Sequence, residues 1–388
     1  MSKQLAKRMK DISAFYVMAL LQRAKQLEQE GMDVIHMEIG EPDFPTPQNI
    51  VDAGIRHIRT GAVKYTPAAG LPELRARIAG FYEDCYRVAV DEDRIFITPG
   101  ASGAFLLAMG VSLDPGKQLL IADPCYPCNS NFVKLFGGKT LSIAVDASSN
   151  FQLTAELIRR HWTVDCMGAL IASPSNPTGT VISAAGLENA IAAVNGLDGC
   201  FFSDEIYHGL VYGTQAATAL QFSEDVFVVN SFSKYFGMTG WRVGWLVVPR
   251  EFVDATEKLA QNIFIATSTH SQYAAIAAFD SDTRHELEDR RLELKKRRDF
   301  LYDSLCQLGF AITSKPDGAF YIYADCSRFT DDSFQFARDL LETEGVAITP
   351  GIDFGRNQAN HFVRFAYTTS IERMDAAIKR LQHFINQP

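Results

Sequence analysis

The sequence predicts an α/β fold whose larger part is a mostly parallel seven-stranded sheet between helices, joined to a smaller α/β domain. Three observations predict it. Seven short apolar runs recur at Ile95 to Thr98, Leu119 to Ala122, Leu141 to Val145, Ala169 to Ala172, Cys200 to Ser203, Val226 to Asn230 and Val243 to Val248. Helical stretches separate many of them, which is the pattern of strands buried on both faces by crossover helices. Polar residues suited to chemistry, Asn176, Asp204 and Lys234, fall just beyond run ends, where ligands bind in such sheets.

The remaining elements follow from periodicity. Val17 to Glu30 keeps Leu20, Leu21, Ala24 and Leu27 on one helical face, and Gly31 ends it. Leu71 to Tyr86 reads as a second helix. Beyond His270 a long helical pattern crosses the charged segment Arg284 to Arg298, whose polar run is a solvated face. It leads into the smaller domain, with strands at Gly318 to Ala324 and His361 to Ala366 and helices at Phe334 to Glu342 and Ile371 to Phe384. A chain of 388 residues exceeds what one core usually holds, so two domains are expected.

Composition narrows the function. The formal net charge of −9 argues against nucleic acid or an anionic membrane as the main partner. Seven cysteines are too sparse for a disulfide framework. Cys125 and Cys128 have redox-motif spacing, but no second metal-ligand pair accompanies them, and no metal is expected. The N-terminal segment is basic without a following apolar core or cleavage site, and no run approaches a membrane span. A cytoplasmic protein is the expectation.

The most informative stretch is Ser231-Phe-Ser-Lys-Tyr-Phe-Gly-Met-Thr-Gly-Trp-Arg242, which follows an apolar run. It places a lysine in a loop at a strand end, two hydroxyls before it and an arginine eight residues after it. Lys234 can form an imine with an aldehyde, while Ser231, Ser233 and the planar fork of Arg242 can surround a phosphate dianion. Pyridoxal phosphate carries both groups. Its ring nitrogen, when protonated, needs an anion, and Asp204 stands where the run Cys200 to Ser203 ends. Tyr207 and the amide of Asn176 can reach the ring's phenolate oxygen. Gly100-Ala101-Ser102-Gly103 opens a helix after a strand, which offers backbone N–H groups to an anion. Tyr126 can lay an aromatic face over the ring. Arg364 sits in the apolar run Phe362 to Ala366, where a guanidinium must find an anion, either a bound carboxylate or an internal Asp or Glu.

In this order the motifs resemble the class I/II aminotransferases of the fold-type I pyridoxal-phosphate enzymes, from Met37-Glu-Ile-Gly40-Glu-Pro-Asp-Phe44 through Tyr65-Thr-Pro-Ala-Ala-Gly70 to Phe362-Val-Arg364-Phe. The resemblance implies that Lys234 holds the cofactor covalently and that Asp204 partners its pyridine nitrogen. Asn176 and Tyr207 are implied at its phenolate oxygen. Ala101, Ser102, Ser231, Ser233 and Arg242 would form the phosphate cup, with Tyr65 reaching in from a neighbouring subunit of a homodimer. Arg364 would grip the substrate α-carboxylate beside Gly40. It also implies an N-terminal arm and helix, 1–44, packing with a small domain of residues 291–388, so that both chain ends build that domain beside a cofactor-binding domain of residues 45–290. The implied activity is ping-pong transfer of an amino group between an amino acid and a 2-oxo acid.

A pyridoxal-dependent lyase or cyclase on the same scaffold is the second reading, because ring and phosphate contacts are shared. A cofactor-binding regulator is more distant, since no spare length or basic helix precedes the core. Neither Gly100-Ala-Ser102 nor Ile265-Ala-Thr-Ser-Thr269 supplies a cation for a substrate's second carboxylate, so a neutral amino acid is expected to react better than aspartate. Phe15, Tyr16 and Met18 are candidates for an apolar lid, and Arg356 is the first suspect for an unseen cation.

Overall fold

The computed structural model describes residues 4–12, 16–213 and 215–387. All seven apolar runs are strands of one sheet. Its order runs Ile95–Thr98, Gly244–Val247, Val226–Ser231, Cys200–Asp204, Cys166–Ala172, Gln118–Asp123, Lys139–Ala144. Neighbours are parallel except at Gly244–Val247, which is antiparallel to both of its partners. The inner strands are apolar without alternation because helices cover both faces, leaving Val226 to Ser231 buried throughout. Spatial order reverses around Gln118–Asp123, which pairs with Lys139–Ala144 on one side and Cys166–Ala172 on the other. A crevice for ligand opens beyond the strand ends at such a reversal.

The smaller unit is a three-stranded antiparallel sheet of Thr349–Pro350, Phe362–Ala366 and Tyr321–Asp325, in which Arg364 lies opposite both Thr349 and Tyr323. The helices Ser281–Leu308, Ser333–Glu344 and Ile371–Ile385 contribute to its core through Leu301, Leu340, Met374 and Leu381. Their starts are chemically marked. The Asp332 carboxylate accepts from the Phe334 and Gln335 amides and the Ser370 hydroxyl from the Arg373 amide, satisfying donors that a helix start leaves open.

The helix Tyr16–Gln29 buries Val17, Leu20, Ala24 and Leu27, while Leu21, expected on the buried face, is half-buried and faces a cavity. Gly31 follows at φ +96°, a left-handed turn that glycine adopts without penalty. The helix start is held from far away, since the Asp353 carboxylate accepts from the Tyr16 and Val17 amides at 2.8 Å each. Directly after this helix, Ile35–His36 pairs in parallel with Val346–Ala347. The N-terminal chain therefore returns to the smaller sheet's side of the molecule, bringing residues 38–40 against Arg364 and Lys234. Among the described residues no helix is long and apolar enough to cross a membrane.

Candidate active site

Every residue expected to hold the cofactor or the substrate α-carboxylate, except Tyr65, lines one cavity of about 260 Å³ between the strand ends and the smaller sheet. Lys234 lies in the turn after Val226–Ser231, and its Nζ donates to the Gly40 carbonyl at 2.8 Å. Withdrawal from bulk water, helped by Arg364 and Arg242 and opposed by Glu41 and Asp204, holds its ammonium down at about 8. A lysine so placed gives up its proton far more readily than an ordinary lysine, as a nucleophilic amine requires. Gly40 has no room for a side chain, because a Cβ there would stand 1.9 Å from the Tyr321 hydroxyl.

Asp204 ends its strand in register with Ala172 and Val229 and is buried. Burial first, then the neighbouring Glu205, pushes its carboxyl up to about 7, although the Ile206 amide donates to it at 3.2 Å and Lys234 draws it down. The carboxylate has no salt-bridge cation within 4.0 Å among the described residues, which fits a cationic ring nitrogen. Tyr207 is buried, and its hydroxyl meets that of Tyr321 at 2.9 Å. Tyr126 lies just before the helix Pro127–Leu135, half-buried on the cavity wall.

A second cluster suits a phosphate. The helix Gly100–Ser112 begins with Gly100 at φ +69°, and a Cβ there would stand 2.7 Å from the Arg242 Nη2. The free first-turn amides of Ala101 and Ser102 thus open beside a guanidinium. Ser231 Oγ and Ser233 Oγ are 3.0 Å apart, and Arg242 Nη1 donates to Thr239 O at 2.9 Å and toward Ser233 Oγ at 3.5 Å. Arg242 itself has φ +53°, a sparsely populated conformation for a non-glycine residue that costs on the order of 1–3 kcal/mol. Such strain is kept where the side chain's aim matters.

Arg364 is buried at the far end of the cavity, 4.2 Å from the Tyr321 ring centroid and 4.7 Å from that of Phe354. Its Nη1 donates to Asn176 Oδ1 at 2.8 Å, and its Nη2 donates to the Glu38 carbonyl and to Thr349 Oγ1 at 3.1 Å. Nε has no hydrogen-bond partner among the described residues. All of these acceptors are neutral, so the internal Asp or Glu allowed by the sequence is not its partner among the described residues. A buried guanidinium without a counter-charge is a site for an anion. Asn176 gives its oxygen to Arg364, which leaves its amide Nδ2 to donate into the cavity.

Two expectations are corrected, those for Tyr16 and Arg356. Tyr16 does not join the lid, because its ring packs edge-on against Phe334 at 5.5 Å and faces a neighbouring cavity. Met18 does line the site, whereas Phe15 lies outside the described residues. Arg356 is exposed, faces that neighbouring cavity and supplies no cation here. Burial pushes the Cys125 thiol up to about 12 and raises that of Cys128, the reverse of a reactive pair. Tyr65 is 82% exposed and stands away from its own chain's cavity.

Sequence reasoning missed three residues. Tyr321 was legible only as part of a strand, Thr349 only as a loop residue, and Glu38 carried one signal, a charge within the apolar stretch Val34 to Ile39.

A family model described as "Aminotransferase class I and II" matches residues 32–381. The chain is 36% identical over 386 residues to the (5-formylfuran-3-yl)methyl phosphate transaminase of Methanocaldococcus jannaschii, covering 99% of this chain and 100% of that one. It is 36% identical over 374 residues to the valine–pyruvate aminotransferase of Mycobacterium tuberculosis, covering 95% and 96%. The crystal structure of the Thermotoga maritima aspartate aminotransferase superimposes with a TM-score of 0.92 at 33% identity, covering 99% and 100%. With the same fold along the whole chain, the protein belongs to the class I and II aminotransferase family and is an aminotransferase.

Proposed function

We propose that pyridoxal phosphate is the cofactor and that transfer proceeds between an amino acid and a 2-oxo acid by a ping-pong cycle. One observation carries this reading. The lysine amine, the buried carboxylate without a cation, the phosphate-sized cluster at Arg242 and the uncompensated Arg364 all line one cavity.

When bound, the cofactor supplies an electron sink for the pair left on the substrate Cα after its proton departs. The chain's own residues do the rest. Lys234 Nζ takes the Cα proton and returns it, and its lowered basicity brings its free amine closer to neutral pH than that of an ordinary lysine. Asp204 would hold a proton on the ring nitrogen, exchanging its costly burial for an ion pair. Asn176 Nδ2 and the Tyr207 hydroxyl would donate to the phenolate oxygen, and Tyr126 would lie against the ring. Ala101, Ser102, Ser231, Ser233 and Arg242 would hold the phosphate, while Arg364 would orient the substrate α-carboxylate beside Gly40.

We further propose a homodimer in which Tyr65 completes the neighbour's phosphate site. Its 82% exposure, together with exposed Ile58 and Val63 on the same segment, supports a surface that a second copy covers. We also propose the division into 1–44 and 291–388 against 45–290, a reading supported by the seven-stranded sheet falling within 95–247 and the three-stranded sheet within 321–366.

The test is chemical. Borohydride reduction of the cofactor-loaded protein should leave a stable adduct on Lys234, and Lys234→Ala should lose turnover while retaining the fold. An adduct on another lysine would remove the assignment. Oxo-acid-dependent amino transfer without ammonia release distinguishes this reading from a lyase.

A further inference from the structure

Two phenols meet in the cavity wall, and only Tyr207 has a task in the reading above. Tyr207 follows the strand Cys200–Asp204 and Tyr321 opens the strand Tyr321–Asp325, so their hydroxyl contact at 2.9 Å ties the central sheet's side of the cavity to the smaller sheet. Both side chains are buried, and their rings stand edge-on with centroids 5.8 Å apart. Against the Tyr321 hydroxyl the backbone at Gly40 leaves no space for a Cβ, and the Arg364 guanidinium lies 4.2 Å from the Tyr321 ring centroid. Tyr321 is therefore fixed at its hydroxyl and at its ring face, with no room to swing away from Tyr207.

Proton counting decides what the contact does. Each hydroxyl carries one proton and can also accept. Burial raises the pKa of both, so each keeps its proton at neutral pH. Among the described residues neither hydroxyl has another hydrogen-bond partner, and between the two alone either can be the donor. An acceptor in front of Tyr207 removes that freedom. Once Tyr207 gives its single proton to that acceptor, its oxygen is left to accept, and the Tyr321 proton has that oxygen as its partner. The chain then runs one way, from Tyr321 through Tyr207 to the acceptor. Hydrogen bonds in such a chain polarise one another, which makes the Tyr207 hydroxyl a stronger donor.

We propose that Tyr321 is a positioning residue that donates to Tyr207, and so commits and strengthens the Tyr207 hydroxyl as a donor to the cofactor's phenolate oxygen. The inference rests on the reading of Tyr207 given above. A donor to that oxygen favours its ionised form. The ring of the same residue faces the Arg364 guanidinium, a favourable cation–π placement. One side chain of the smaller sheet thus braces both the group aimed at the phenolate oxygen and the group aimed at the substrate carboxylate.

The test follows the visible absorbance of the cofactor-loaded enzyme as pH is varied, a readout that needs no turnover. Donors to the ionised oxygen hold the pH midpoint down, so losing one raises it. Tyr207→Phe should raise the midpoint by about 1–2 units, the scale of one hydrogen bond to a charged group. Tyr321→Phe keeps the ring against Arg364 and removes only the hydroxyl. It should raise the midpoint by roughly 0.3 unit, the scale of cooperative strengthening of that bond, with KM for the amino donor nearly constant. Tyr321→Met, which also lacks the hydroxyl, serves as a second variant should the first fail to fold. Added to Tyr207→Phe, loss of the Tyr321 hydroxyl should shift the midpoint no further, because it acts through Tyr207. Tyr126, Lys234 and Arg364, the titratable groups facing the pair, are the same in every variant. A full additional shift in the double variant, or a raised KM with an unmoved midpoint, would make Tyr321 a direct contact and overturn the inference. If Tyr207→Phe leaves the midpoint unmoved, the reading of Tyr207 falls and this inference with it, whereas a midpoint that moves with Tyr207→Phe and not with Tyr321→Phe sinks this inference alone.

Discussion

Arg364 Nη1 donates to Asn176 Oδ1 at 2.8 Å, joining the smaller sheet to the loop after Cys166–Ala172 of the central sheet. The bond spans 188 residues of chain, and it links the group proposed to hold the substrate carboxylate to the group proposed to touch the cofactor ring. Truncating one member of a buried charged pair costs about 2–5 kcal/mol. Arg364→Leu is therefore expected to lower kcat/KM by roughly 30-fold or more for every amino acid tested. Steady-state kinetics over several donors checks this, and a loss confined to one donor would assign Arg364 to a side-chain subsite.

Asp204→Asn separates electronics from binding. The amide retains shape and can still accept from the Ile206 amide, so fold and cofactor content should persist. Turnover should fall by about 2.7–4 kcal/mol of transition-state stabilisation, the scale of one preorganised electrostatic group. Absorbance of the bound cofactor and single-turnover rates measure the two separately. Unchanged turnover removes Asp204 from the mechanism.

The same carboxyl makes a stability prediction for the protein stripped of cofactor. Its pKa is raised from 3.8 to about 7 by burial, so between those values the folded chain keeps a proton that the unfolded chain has released. The folded state then binds more protons, and stability falls as pH rises through that window. Glu205, raised from 4.5 to about 7, acts in the same direction. Urea unfolding of stripped Asp204→Asn should show a shallower decline from pH 4 to 7 than the unvaried protein, the residual slope combining Glu205 with His208, which burial holds down at about 3 and which acts in the opposite direction. Parallel slopes would mean that Asp204 ionises freely in the fold.

Gly100→Ala probes the phosphate cluster. A Cβ at φ +69° is strained, and it would stand 2.7 Å from the Arg242 Nη2, forcing the guanidinium off its aim. Cofactor should dissociate faster on dialysis, with little change in the substrate dependence of the fraction that stays loaded. Retention equal to the unvaried protein would place the phosphate elsewhere.

The shared site is tested by complementation. Tyr65→Ala and Lys234→Ala proteins, each impaired alone, should regain activity when unfolded and refolded together. Mixed dimers then carry one site with both residues intact, amounting to about a quarter of all sites in an equal mixture. Absence of recovery would confine Tyr65 to its own chain.

Apolar patterning by itself determined the seven-stranded sheet. Runs such as Val226 to Asn230 are too short and too β-branched for helices, and their burial on both faces follows from composition alone. Lys234, Asp204 and Asn176 were legible for the same reason, because a polar residue at the end of a buried strand is placed by that strand. Arg364 was legible as a charge in an apolar run. Its partners were not, since Asn176, Thr349 and the Glu38 carbonyl come from distant parts of the chain and nothing in local spacing links them.

The lid assignment failed at Tyr16 for a similar reason. Helical periodicity orders residues around an axis, but the helix start is held by the Asp353 carboxylate, more than 300 positions away, a contact that local pattern does not encode. The role of Tyr321 likewise depends on how the returning N-terminal segment packs on the smaller sheet. Sequence determines which groups can do chemistry at the strand ends, because local burial is encoded in local pattern. Tertiary structure decides which charges are neutralised and which are left to a ligand, because a hydrogen-bond partner is chosen by proximity in space.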